Sequence, residues 1–102
     1  MIRHTVTFSL FHEPGSSGER EFLDAAVAAL TAIPVVQDFR VSRQVSKKSP
    51  LNFQFEMKFD GAEAFNSYND HPAHVGFVET RWAKEVSDFQ EFDFEPYGQE
   101  GR

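Results

Sequence analysis

Cysteine is absent from the 102-residue chain. Disulfides, thiolate nucleophiles and sulfur metal ligands are thereby excluded, and a reducing, cytoplasmic setting is expected. Basic side chains are few: 10 Lys and Arg stand against 16 Asp and Glu, for a formal net charge of −6. They do not cluster beyond Lys47-Lys48. Nucleic acid and anionic membrane surfaces both select basic patches, so neither is an expected partner. Long hydrophobic runs are lacking too, and no segment approaches the roughly 20 apolar residues of a bilayer-spanning helix. The opening MIRHTVTFSLFHEP has no continuous apolar stretch and no small-residue cleavage site, so no signal peptide is expected. Phosphate loops are missing, because EPGSSG has neither the lysine nor a preceding parallel strand. Gly-x-Ser-x-Gly does not occur, which excludes an esterase elbow. The expectation is one soluble domain over residues 1–97, followed by a polar tail at 98–102.

Phenylalanine, by contrast, is plentiful at 12 residues, which points to a layered, aromatic core. Residues 2–12 alternate, with Ile2, His4, Val6, Phe8 and Leu10 on one face. A helix is expected over about residues 18–33, where Phe22, Leu23, Ala26, Val27, Leu30 and Ile33 recur at helical spacing. Ser16 and Glu19 have capping-box spacing at its start, and Pro34 ends it. DFRVSRQV alternates, with Phe39, Val41 and Val45 together, and LNFQFEMKF sets Leu51, Phe53, Phe55, Met57 and Phe59 on one layer. Asp60 reads as the N-cap of a short helix through Tyr68, with Glu63 at the capping-box position. Pro72 suits the first position of a further helix running to about Lys84. A last strand near Gln90–Glu95 carries Phe92 and Phe94 on one face, and Phe89 is out of phase, so the strand is expected to start after it or to bulge there. The order β-α-β-β-α-α-β, with one apolar face per strand and one stripe per helix, predicts an α+β fold. It is a ferredoxin-like four-stranded antiparallel sheet with helices on one face.

The chemistry-bearing residues gather around YNDHPAHVGF, residues 68–77. Val78 and Trp82 follow His74 at i+4 and i+8, so His74 heads the stripe that packs on the sheet. His4 points into the same layer from the first strand, and Tyr68 closes the preceding helix near His74. In the first turn of a helix, the dipole and burial both favour a neutral imidazole, a competent general base at neutral pH. Tyr68 can donate to a carbonyl or enolate oxygen. The bland reading stands beside this one: a buried histidine that bonds a carbonyl, and a tyrosine whose hydroxyl meets water. His71 is placed at the cap, facing solvent. His-Pro-Ala-His lacks the logic of a His-Glu-x-x-His zinc helix, so no metal and no cofactor are expected. His12, Asp24, Asp38, Glu79 and Glu85 read as solvated.

RHTVTFSL at 3–10, AIPVVQDF at 32–39, YNDHPAHVGFV at 68–78 and FDFEP at 92–96 together resemble the stress-responsive A/B barrel (Dabb) domain. The resemblance implies that two ferredoxin-like protomers pair, sheet to sheet, into a dimeric α+β barrel. The second sheet face, with Thr5, Thr7, Arg40, Gln54, Glu56, Lys58 and Asp93, would then meet its symmetry mate. Within the family, a polyketide-cyclase branch performs an intramolecular aldol condensation without a cofactor. Its catalytic Tyr and His match Tyr68 and His74, and its strand-one pocket histidine matches His4. A further pocket histidine of that branch falls near Phe53, where this chain has no imidazole, and Asn69 and Asp70 also depart from its pattern. The resemblance therefore implies one of two roles. One is a cofactor-independent enzyme acting on a small apolar carbonyl compound. The other is a non-catalytic, stress-associated ligand-binding or scaffolding dimer. The antibiotic-biosynthesis monooxygenases share the barrel, but nothing in the sequence marks an oxygen-activating site.

Overall fold

Period-two alternation builds four strands, and 3.6-residue recurrence builds the helices between them. The computed structural model describes residues 1–98. It runs β1 (Ile2–Leu10), α1 (Ser17–Thr31), β2 (Gln37–Arg43), β3 (Phe53–Phe59), α2 (Ala62–Asp70), α3 (Pro72–Phe77), α4 (Ala83–Glu85) and β4 (Val86–Phe94). The expected tail lies, but for Gly98, outside the described residues. All strand pairs are antiparallel, in the order β2-β3-β1-β4. This is the ferredoxin-like sheet that the alternation predicts.

The central pair, β1 and β3, sets Val6 opposite Phe55 and Phe8 opposite Phe53. Paired residues share a face, so these side chains form one apolar layer. α1 lays Phe22, Ala26 and Leu30 onto it at intervals of four. The ring of Phe8 tilts against Phe55 at 4.6 Å and Phe22 at 5.9 Å, contacts that add to the area term. Each such buried ring contributes about 1.5–3 kcal/mol. The start of α1 is capped as its spacing predicts: Ser16 Oγ accepts from Glu19 N at 3.2 Å. Glu19 reaches back one residue further than a capping box requires, accepting from Gly15 N at 3.1 Å. Gly15 has φ 77°, a turn that a side chain would strain.

Four expectations are corrected. Asp60 does not cap α2; Gly61 occupies that position without a side-chain bond, and the Asp60 carboxylate accepts from Gln37 Nε2 at 2.8 Å instead. Val45 lies beyond β2 and is exposed, because that strand ends at Arg43. The helix from Pro72 is not uniform: a π-helical turn, Val78–Trp82, joins α3 to α4. There the N–H of Ala83 reaches Val78 O, five residues back.

The fourth correction concerns β4. It begins at Val86, earlier than expected, and a bulge opposite Ser9 and Leu10 resets its phase. Phe89 then pairs with Phe8, Glu91 with Val6 and Asp93 with His4. These three face the helices. Phe92 and Phe94 pair with Thr5 and Arg3 and lie on the open face of the sheet. Asp93 is thus removed from the polar outer face, and two half-exposed rings take its place.

Candidate functional site

Beneath α3 the helix layer does not close on the sheet. A cavity of about 430 Å³ remains, lined among others by His4, Tyr68, His74, Trp82, Phe89 and Glu91. The three polar side chains singled out in the sequence therefore border one hollow, and Val78 and Trp82 wall it rather than fill it. His71 is only half exposed, and its ring is occupied: Nδ1 accepts from Ala73 N at 3.1 Å, which makes it the N-cap of α3.

The orientation of His74 follows from the proline two residues before it. A helix carbonyl normally receives the N–H four residues on. For Tyr68 that partner would be Pro72, which has no N–H. The Tyr68 carbonyl accepts from His71 N at 3.1 Å instead. Ala73 would serve Asn69, but its N–H is taken by the His71 ring. The Asn69 carbonyl is left open, and His74 Nδ1 donates to it at 3.0 Å. A carbonyl only accepts, so Nδ1 carries the hydrogen and Nε2 keeps its lone pair.

Burial holds the His74 imidazole below its ordinary pKa of 6.5. The Asn69 carbonyl opposes this, His4 lowers it further, and Glu91 pulls it up. The ring lies 4.3 Å from that of Tyr68, centroid to centroid. Tyr68 is 2% exposed, and its ring packs on Phe59 at 5.0 Å. Burial, seconded by the Glu91 charge, drives its phenol well above the usual range. At neutral pH the pair is a neutral base beside a phenol that keeps its proton.

His4 is buried on β1, and its Nδ1 lies 2.5 Å from Asp93 Oδ1. A carboxylate accepts, so Nδ1 donates there, and Nε2 stands 3.6 Å from Glu91 Oε2. The two acids were not singled out in the sequence. Their signal was the spacing Phe89-x-Glu91-x-Asp93, which places both on the face of Phe89, but Phe92 and Phe94 had claimed that face. His12 and Glu85 are also less solvated than expected. They pair at 2.6 Å, Arg81 joins Glu85 at 2.7 Å, and the three sit outside the cavity. Asp38 pairs with Lys58 at 3.2 Å. Among the described residues no cluster of three His, Asp or Glu side chains is arranged to hold a metal ion. No helix among them is long and apolar enough to cross a membrane.

Comparison with known proteins places the fold. The model of the family described as Stress responsive A/B Barrel Domain matches residues 2–96. A crystal structure of a Dabb family protein with a ferredoxin-like fold, from Mesorhizobium loti, superposes with a TM-score of 0.94. It is 46% identical, over 95% of this chain and 97% of that one. The chain is also similar to olivetolic acid cyclase of Cannabis sativa, 27% identical over 79 residues, 74% of this chain and 78% of the cyclase. A dimeric ferredoxin-like protein of Thermobifida fusca shares the fold at TM-score 0.74. It is 20% identical, over 91% of this chain and 88% of that one.

Proposed function

The chain belongs to the stress responsive A/B barrel family, and from that membership we propose that it is a cofactor-independent enzyme doing proton-transfer chemistry on a small, apolar carbonyl compound. The observation that carries this reading is the pairing of His74 and Tyr68 on one cavity wall, with opposite proton affinities. His74 Nε2, unprotonated because Nδ1 is anchored and without a protein partner among the described residues, removes a proton from the carbon beside a carbonyl. Tyr68 donates to the carbonyl oxygen as it becomes an enolate. In an aldol-type closure the enolate carbon then attacks a second carbonyl of the same molecule. One carbon–carbon bond forms, and the new alkoxide recovers the proton from the His74 imidazolium. His4, fixed by Asp93, shapes the wall and supplies a polar contact. The similarity to a protein named as a cyclase supports this reaction class.

The same proposal takes the assembly to be a homodimer, with a second copy on the open sheet face. Phe92 is 45% exposed there and Phe94 54%, and their rings stack at 5.9 Å. Such a pair on a polar face suits an interface core with a polar rim.

A combined binding and turnover assay tests the enzyme reading. A linear polyketide-type thioester should be consumed by the wild type, and replacing His74 with Ala should lower the rate by about 10²–10⁴-fold. A carbonyl-bearing aromatic at a hundred times its dissociation constant should stabilise the wild type by about 2.7 kcal/mol. Binding without turnover in the wild type would favour a ligand-binding dimer. Absence of both binding and turnover would overturn the site altogether.

A further inference from the structure

The cavity wall is charged asymmetrically. Among the described residues it presents one carboxylic acid, Glu91, and neither lysine nor arginine. The register places this side chain: Glu91 pairs with Val6, so β4 turns it toward the helices. The two acids beside His4 differ sharply. Asp93 is committed to His4 Nδ1 at 2.5 Å. Among the described residues Glu91 reaches only His4 Nε2, at 3.6 Å, which is beyond a good hydrogen bond, and its side chain is 53% exposed. It therefore keeps acceptor capacity at the rim of a hollow whose other polar side chains are His4, Tyr68 and His74. Its field extends across the site, since it acts on both Tyr68 and His74.

We propose that Glu91 sets the substrate class of this cavity: it selects uncharged or cationic molecules that carry a hydroxyl or amine donor opposite their carbonyl end, and it rejects carboxylates. The inference rests on the reading of the cavity as a ligand site. A donor on the ligand meets a charged acceptor, the stronger kind of hydrogen bond. An anionic ligand meets like charge with no lysine or arginine on the wall to neutralise it, and must shed its water to enter. An apolar ligand of equal size fills the hollow but leaves Glu91 without a partner.

Three probes of one skeleton test this by calorimetric titration at neutral pH: 4-propylphenol, 4-propylanisole and 4-propylbenzoate. The wild type should bind the phenol about tenfold more tightly than the capped ether, and the benzoate most weakly. Glu91→Leu should erase the advantage of the phenol over the ether. Glu91→Gln, which keeps the shape and removes the charge, should restore the benzoate by about tenfold. Glu91 is half exposed, so both variants should retain the wild-type melting profile. The inference is overturned if the wild type binds benzoate as tightly as phenol, or if both variants weaken all three probes by one common factor. The second result would show Glu91 acting only through His4. Failure of all three probes to bind the wild type, with carbonyl-bearing aromatics also inert, would remove the ligand site itself. Equal binding of the three would remove only the selectivity.

Discussion

At His74 the two ring nitrogens have different surroundings: Nδ1 is held by the Asn69 carbonyl at 3.0 Å, and Nε2 belongs to the cavity. This has a consequence for stability. The folded ring binds protons less readily than the ordinary 6.5 of an exposed histidine. Above that value folded and unfolded chains both carry a neutral ring, and its contribution is fully present. As pH falls below it, the unfolded chain takes up a proton that the folded chain resists. Stability therefore declines with falling pH until the folded ring protonates as well. Urea melts of the wild type should weaken between about pH 7 and pH 5 more steeply than those of His74→Gln. Equal slopes would mean that the ring is not held neutral by the fold. Turnover should hold over most of that interval and fall only at lower pH, where the folded ring itself protonates, because only the neutral ring can accept a proton.

At the scale of the element, the starts of α1 and α3 each depend on one side chain, Ser16 and His71. Ser16 satisfies the N–H of Glu19, and Ser16→Ala should cost about 1 kcal/mol in chemical denaturation while leaving cavity binding unchanged. This cap was legible because its chemistry is local: a hydroxyl and an acid at fixed spacing. β1, β3 and the stripe of α1 were legible for a similar reason, since strict alternation or recurrence leaves one choice of buried face. The face of β4 was not. Phe92 and Phe94 claim it by hydropathy, while the bulge opposite Ser9 gives it to Phe89, Glu91 and Asp93. A single extra residue inverts every side chain of a strand, and nothing within the strand itself reports where the extra residue falls. The π-helical turn at Val78–Trp82 escaped for the same reason, because His74, Val78 and Trp82 keep a spacing that an unbroken α-helix would also satisfy.

At the scale of the whole molecule, the sheet has one face covered by helices and one left open. The open face holds the ion pair of Arg3 with Glu56 at 3.3 Å and that of Lys58 with Asp38 at 3.2 Å, beside the stacked pair Phe92 and Phe94. If a second copy covers this face, replacing both rings with serine should convert a dimer into a monomer in sedimentation velocity. Phenol binding should survive, since the cavity lies on the other side of the sheet. A wild type that sediments as a monomer would refute the pairing.

The sequence by itself determined the four-stranded architecture, the aromatic core and the convergence of His4, Tyr68 and His74 on one layer. Each depends on periodicity or on a break at proline, and both act between near neighbours. Only the tertiary structure decided that the layer stays hollow, that Asp93 holds His4 and that Glu91 overlooks the cavity. Those facts depend on the register of β4 against β1, which joins residues almost ninety positions apart. Such a pairing is chosen by how the whole sheet packs, so the spacing Phe89-x-Glu91-x-Asp93 does not by itself say which face of β4 is buried.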